Sequence, residues 1–262
     1  MDRARRMAWG AFSVAVLLVL WWIGGRTLPT VIPAVGDTAD ALVVVLTTPG
    51  PYDNPWYYHV WKTAEMIFLS LIVSILVGTV LGVALGTTDR LEDAASAWIY
   101  GWLAVPSLVI VFVVAVVIGF NAQAGYVAVP LVITPFVALN MWEGAGNLDP
   151  DLTEMSAFFG ATRLQTFRRV IVPQLVPFLF ASVRSALSIG WKITLLVEAF
   201  LLTRGVGFMF KRNFDNYDLT TMMSWLVIFV VFLVIVEYGL IVPLHNRVTH
   251  WRPEVEGVRM AE

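Results

Sequence analysis

This sequence contains few residues that could act as nucleophiles or metal ligands. It contains no cysteine, which excludes disulfides and thiolate nucleophiles. Its three histidines, His59, His245 and His250, form no cluster, and the i, i+5 spacing of the last two is poor helix geometry for sharing a metal. No nucleophile motif stands in the loops. We therefore expect no metal site and no catalytic residue, so the chain is not expected to be an enzyme.

Nucleotide chemistry is also not expected. A phosphate-binding loop needs a Gly-Lys pair within G-x-x-x-x-G-K-[ST], whereas the three lysines here follow Trp61, Trp191 and Phe210. We therefore expect this chain to bind no cofactor.

The side chains that stand out are ionisable groups inside an apolar segment. Such groups are costly in lipid and are functional candidates. Lys192 could face a pathway and meet an anion, pair with Glu143 or Glu237, or extend toward the interface. Glu198 lies about 240° around the helix from Lys192, which makes it a poor partner. The candidate path residues are Asn140, Arg184, Trp191, Lys192 and Glu198.

The composition predicts an all-α membrane protein. Of 262 residues, 58% are hydrophobic and 14% charged, against about 25% charged in soluble domains. The net charge of −2 gives no reason to expect nucleic acid as a partner. Six segments reach the length of about 20 residues that a spanning helix needs. They are 7–25, 63–86, 96–119, 125–143, 176–201 and 219–243.

Glycines and aromatic residues indicate how these segments are arranged. Gly78, Gly82 and Gly86 form an i, i+4, i+8 row that favours close approach of another helix. Residues 37–47 are expected to form a short interfacial helix, followed by an aromatic belt at residues 56–61. With the N-terminus inside, ten Lys and Arg residues fall on the inner side and five on the outer side, which predicts that both termini are cytoplasmic.

The inner segment 149–173 carries the strongest local pattern. Asp149 and Pro150 are typical of a helix start, and Gly160 is typical of a helix end. Thr162 and Gln165 form a capping box. We expect a second short helix that ends at Val172-Pro173. These amphipathic helices could lie on lipid headgroups or dock onto a cytoplasmic partner.

This segment resembles the EAA loop of ABC-importer permeases. Glu154, Gly160 and Pro173 match that pattern at the expected spacing, although Met155 and Ser156 replace its two alanines. The resemblance implies a role in ATPase coupling for this set: Glu154, Ala157, Phe158, Phe159, Gly160, Arg163 and Pro173.

The resemblance extends over roughly residues 60–253. Trp191, Glu198 and the turn Gly205-Val206-Gly207 are similar to the W…E…GLG stretch of sulfonate, taurine and nitrate permeases, as is the ending Trp251-Arg252-Pro253. Gly205 and Gly207 could belong to an outer gate or receive the binding protein, or they could lie in an ordinary solvated loop. The expected divisions are an N-terminal helix and outer segment (1–59), a permease core (60–246) and a cytoplasmic tail (247–262).

The resemblance implies a type I ABC-importer permease fold in a bacterial inner membrane. Two permease chains, here a homodimer, would form the path for a small solute. Two ATPase chains with ATP and Mg would bind the inner loop, and an extracytoplasmic binding protein would deliver solute. Sulfonate, taurine, nitrate and a pyrimidine vitamin precursor are all carried by relatives. The alternative is a self-contained channel or secondary transporter, in which Lys192 and Glu198 would gate or couple protons.

Overall fold

The computed structural model describes residues 3–50, 53–243 and 247, and its long elements are all helices. His245, His250 and the ending 251–253 lie outside this described part. The described helices are α1 (Arg3–Thr27), α2 (Val35–Thr47), α3 (Trp56–Gly86), α4 (Asp89–Ala104), α5 (Ser107–Ile118), α6 (Ala122–Gly146), α7 (Pro150–Phe158), α8 (Arg163–Thr166), α9 (Val172–Leu201), α10 (Val206–Asp215) and α11 (Leu219–Val236). One π-turn, Phe167–Ile171, joins α8 to α9. A second π-turn, Glu237–Ile241, follows α11.

Four helical stretches among the described residues are long and apolar enough to cross a membrane. They are α3, α6, the continuous stretch Arg163–Leu201 and the stretch Leu219–Ile241. The bent pair α4 and α5 is a possible fifth, and the apolar stretch Phe12–Thr27 of α1 is shorter. In chain order, these six stretches correspond to the six segments predicted from the sequence.

The predicted span 96–119 is wrong as a single straight helix. The chain bends by 94° between α4 and α5. Pro106 has no N–H to continue the helical bonding, and it disfavours helical geometry at the residue before it. Val105 accordingly adopts extended backbone, with ψ 127°.

The expected helix end at Val172-Pro173 is also wrong. The helix that starts at Arg163 continues through a π-turn into α9 and reaches Leu201. Within this turn, the N–H of Val172 donates to the carbonyl of Phe167, five residues earlier. Pro173 directly follows this π-turn, where the regular i to i−4 hydrogen bonding is already interrupted, so its missing N–H does not end the helix. The inner segment is therefore one short helix followed by the start of a long one.

Residues 64–197 and 233–262 form one compact unit, in which glycines let α3 and α6 pack closely. A Cβ placed on Gly78 would lie 2.6 Å from Val137 Cβ, and one on Gly86 would lie 2.6 Å from Ala145 Cβ. At Gly82, an added Cβ would collide with the backbone of α6. These distances confirm the prediction that the glycine row is a helix-packing surface.

Residues 1–63 and 198–232 form the other compact unit. The predicted helix at 37–47 is present as α2, and Ser224 Oγ on α11 donates to its Thr38 carbonyl at 3.1 Å. The predicted division at residues 59 and 246 stays a prediction.

A buried polar cluster fixes the start of α10 in this unit. Thr63 Oγ1 donates to Glu198 Oε2 at 2.9 Å and accepts from the Val206 N–H at 2.9 Å. Glu198 Oε2 also accepts from the Gly207 N–H at 2.9 Å, and His59 Nδ1 accepts from the Gly205 N–H at 3.2 Å. We call the side chains of His59, Thr63 and Glu198, with the three amides they bind, the amide clasp.

The amide clasp replaces a conventional helix cap. Gly205 occupies the N-cap position of α10 with φ 100° and has no side chain to cap the helix. A Cβ on Gly205 would strike the Glu198 carboxyl group. Glycine therefore allows both the backbone conformation and the close approach of the carboxyl group.

Replacing Gly82 by alanine is expected to destabilise the protein by about 1–3 kcal/mol, because the added methyl group overpacks the contact between α3 and α6. Gly101→Ala is the matched control, because Gly101 lies in α4 with nothing within 4 Å of an added Cβ. The thermal unfolding midpoint in detergent checks the difference. Equal midpoints for the two variants would contradict the packing role of the glycine row.

Thr63→Val is expected to lower the unfolding midpoint, because it leaves the buried Val206 amide without its acceptor, at about 1–3 kcal/mol, and removes one of the two hydrogen bonds that Glu198 Oε2 accepts. Thr87→Val is the control, because the Thr87 hydroxyl is exposed and, among the described residues, bonds only the carbonyl of Val83. If both variants melt like the parent protein, the clasp does not hold α10.

Candidate coupling loop and solute path

The short helix α7 begins as the sequence predicts. Asp149 is its N-cap, and its carboxylate accepts from the Asp151 N–H at 2.9 Å. Pro150 occupies the first turn, where a missing N–H costs nothing.

Gly160 ends α7 in a Schellman motif. Its φ of 73° is in the left-handed region that favours glycine. The Ala161 N–H donates to the Ser156 carbonyl at 3.0 Å, and the Gly160 N–H donates to the Ala157 carbonyl at 2.9 Å. The predicted helix end is confirmed, and it makes a sharp reversal of the chain.

Side-chain bonds tie this reversal into a rigid unit. The predicted capping box is present, since Gln165 Oε1 accepts from the Thr162 N–H at 2.8 Å and Thr162 Oγ1 accepts from the Gln165 N–H at 3.3 Å. Ser156 Oγ lies 2.9 Å from Thr166 Oγ1, which links α7 to α8.

Gln174 makes a contact that sequence reasoning missed. Its Oε1 accepts from the Asp149 N–H at 2.9 Å and so connects the start of α7 to the first turn of α9. Glutamine is common on helix surfaces, and its position one residue after Pro173 carries no signal for this contact. The half-buried Pro173 belongs to this base of the loop.

The tip of the loop is apolar and uncovered. The side chains of Phe158 and Phe159 are 86% and 77% exposed, and their rings meet edge to face at 5.8 Å. Met155 and Leu164 are exposed beside them. Ala157 is exposed on the same helix. Such a patch on a rigid loop is typical of an interaction site.

Charged side chains surround this tip. Glu154 and Arg163 are exposed, and neither makes a hydrogen bond or an ion pair with the part of the chain that the structure describes. Arg168 and Arg169 are exposed on the π-turn that follows. The loop therefore exposes apolar and charged side chains together, a combination that is usual at protein interfaces.

A polar stripe runs along α9 in the same compact unit. Arg184, Ser188 and Lys192 follow at i, i+4 and i+8, so they share one helix face, and all three are exposed. We call these three residues the α9 stripe. Ser188 was not singled out from the sequence, although its spacing between two cations would have revealed it.

The acidic partner considered for Lys192 serves a different cation. Arg184 Nη2 lies 3.5 Å from Glu237 Oε1, with side chains 75% and 35% exposed. Lys192 forms no ion pair with any described residue. Glu143 is exposed and forms no ion pair with a described residue either. In the described part of the chain, Lys192 is therefore paired with neither Glu143 nor Glu237.

The other path candidates lie in different settings. The Asn140 side chain donates to the Phe136 carbonyl of its own helix at 2.9 Å. Trp191 is buried and packs edge to face against Phe68 at 6.2 Å between ring centroids. Glu198 is 1% exposed and belongs, with Gly205 and Gly207, to the amide clasp. A role for any of them in the path stays a prediction.

No cofactor site stands out among these groups. Within the described ranges, no three His, Asp or Glu side chains come close enough to hold a metal ion.

Comparison with known proteins identifies the family. Residues 74–248 match the family model described as "Binding-protein-dependent transport system inner membrane component". The chain is 23% identical over 256 residues to the taurine transport system permease protein of Escherichia coli (strain K12), covering 97% of this chain and 93% of that one. It is 22% identical to the nitrate import permease protein of Synechocystis sp., over 86% of this chain and 82% of that one.

The fold has a solved counterpart. The chain is similar to a chain of the MetNI methionine ABC transporter in an inward-facing conformation, with a TM-score of 0.65 and 22% identity. The match covers 73% of this chain and 94% of that chain. The helical architecture is thus that of type I ABC-importer permeases, as predicted. This chain belongs to the binding-protein-dependent transport system inner membrane components, the permease subunits of ABC importers.

Proposed function

We propose that residues 149–173 are the coupling loop through which this permease receives force from a separate cytoplasmic ATPase. The observation that carries the proposal is the exposed pair Phe158 and Phe159 at the tip of a loop held by caps at both helix ends. Because burying a phenylalanine side chain contributes about 1.5–3 kcal/mol, an apolar groove on the ATPase would gain much by covering the pair.

The continuity of the helix gives this loop a mechanical role. The stretch Arg163–Leu201 is one continuous helix, so the second half of the coupling loop, from Arg163 onward, belongs to the same element as the α9 stripe. The contact of Gln174 with Asp149 adds a second connection at the base of the loop. Movement of the docked loop would therefore be carried along α9 to Arg184 and Lys192.

The remaining partners follow from this assignment. The ATPase, present as two subunits, holds ATP and Mg, and the permease chain performs no hydrolysis. A second copy of the permease completes the path, and an extracytoplasmic binding protein delivers the solute. We place the chain in a bacterial inner membrane with both termini in the cytoplasm, on the basis of the excess of Lys and Arg in the predicted inner segments.

The α9 stripe is the proposed lining of the solute path. Lys192 lies on an exposed face of a spanning helix and has no ion-pair partner among the described residues. Its charge therefore favours an anionic solute. The curated relatives named for taurine and nitrate are consistent with this charge preference but do not select one solute. The serine between the two cations supplies a hydroxyl that can bond the same anion.

Phe158→Ala combined with Phe159→Ala is expected to weaken binding to the ATPase about a thousandfold, since truncating each interface anchor costs about 2 kcal/mol. Membrane insertion and the unfolding midpoint should be unchanged, because both rings are exposed in the free chain. The measurement is recovery of the ATPase with the tagged permease from the native membrane in mild detergent.

The control for this variant is Phe214→Ala, which removes an exposed phenylalanine from α10 instead of the loop. It should retain the ATPase. Recovery of the parent chain alone, together with ATP-independent solute movement in liposomes, would support the alternative of a channel or secondary transporter.

Lys192→Gln is expected to raise the KM of solute uptake about tenfold to a hundredfold, because a hydrogen bond to a charged group contributes about 1.5–3 kcal/mol. Lys192→Arg keeps the charge and should lie close to the parent protein. The measurement is ATP-driven uptake in proteoliposomes containing the complete transporter. An unchanged KM for the glutamine variant would remove Lys192 from the path.

A further inference from the structure

The unit formed by residues 1–63 and 198–232 contains a cavity of about 450 Å³. It lies where the last residues of α2, the start of α3, one face of α10 and the start of α11 come together. We call this cavity the α10 pocket. Its volume falls within the range of roughly 300–1,000 Å³ that is usual for small-molecule sites.

Polar side chains converge on the α10 pocket from two helices. Arg212, Asn213 and Asn216 line it from α10, and Thr221 lines it from α11. Asn213 is buried and uses one amide proton on the Met209 carbonyl, at 2.7 Å, which leaves the other free for a ligand. The polar part of the wall is thus rich in donors.

The charge on the wall is positive and uncompensated. Among the described residues that line the pocket there is no Asp or Glu. Asp215, which follows soon after Arg212, is held by Lys211 Nζ at 2.6 Å. Asp218 uses a carboxylate oxygen on the Thr221 N–H, at 3.0 Å. Arg212 itself forms no ion pair with a described residue.

Two tryptophans form an apolar part of the wall. Trp56 from α3 and Trp225 from α11 both line the cavity, and Trp225 is 2% exposed and held in place by its packing. A cationic group with neighbouring amides, next to aromatic surface, suits a small anion that carries a short apolar stem.

We propose that the α10 pocket binds the anionic head group of a small amphiphile, of the sulfonate, phosphate or carboxylate class, with Arg212 as its principal contact. This site shares no residue with the α9 stripe or the coupling loop, and it stands whether or not the coupling assignment holds. A free solute and a lipid head group share this chemistry.

The test uses arginine modification in the full-length chain. The chain is placed in nanodiscs of phosphatidylcholine and treated with phenylglyoxal, and each arginine is followed by mass spectrometry. Ethanesulfonate at ten times its Kd should slow the modification of Arg212 about tenfold, because only the unoccupied site reacts. Exposed Arg163 is the internal reference and should react at an unchanged rate, as should Arg212 in the presence of neutral ethanesulfonamide.

A second arm separates a free solute from a lipid. If ethanesulfonate does not protect Arg212 but phosphatidylglycerol in the nanodisc does, the site is an anion site for a lipid head group. If neither protects Arg212, the proposal is overturned.

A matched pair of variants keeps the test independent of labelling. Arg212→Gln removes the proposed contact, whereas Lys211→Gln removes an equal charge from the neighbouring residue, which pairs with Asp215. Ethanesulfonate, or phosphatidylglycerol where that arm is positive, should raise the unfolding midpoint of the parent chain and of Lys211→Gln but not of Arg212→Gln. Equal shifts in the two variants would overturn the assignment of Arg212.

Discussion

The fold depends on satisfying the backbone of α10 where little water is available. The first amides of a helix have no partner within the helix, and leaving them unpaired in a low-dielectric setting costs several kcal/mol per group. The side chain that would normally cap α10 is missing, since Gly205 stands at the N-cap. The amide clasp supplies the missing acceptors from α3 and α9. One buried carboxyl group and one hydroxyl therefore set where α10 starts, and hence where Arg212 and Asn213 of the α10 pocket lie.

In the proposed coupling loop, the helix ends are capped by purely local contacts. Its helix ends are closed by an aspartate cap, a Schellman motif and a capping box, all built from residues within a few positions of one another. The loop is consequently stiff without being buried, and its two phenylalanines can stay exposed on a fixed frame. The π-turn at Phe167–Ile171 then passes the chain directly into α9, so the helix is continuous from Arg163 to the α9 stripe.

The sequence predicts the contacts that are local along the chain and misses those that join distant residues. Asp149, Gly160 and the Thr162–Gln165 box were predictable because each acts on backbone within a few residues. The glycine row predicted a packing surface, although nothing in its spacing named α6 as the partner. The amide clasp was not predictable, because Thr63 and Glu198 are 135 residues apart. The two wrong boundaries both involve proline. Pro106 breaks a segment whose apolar composition alone predicted one helix, and Pro173 fails to end one because a π-turn places it in a tolerated position.

The α9 stripe remains incomplete in a single chain. Two cations and a serine on an exposed face of a spanning helix cannot face hydrocarbon at low cost, and the pairing of Arg184 with Glu237 at 3.5 Å leaves Lys192 uncompensated by any described residue. This face therefore requires either water or another polar surface beside it. A second copy placed against this face would supply both, since it would enclose a water-filled path lined by the same stripe. The charge pattern along α9 is thus a physical argument for the second permease chain that we propose.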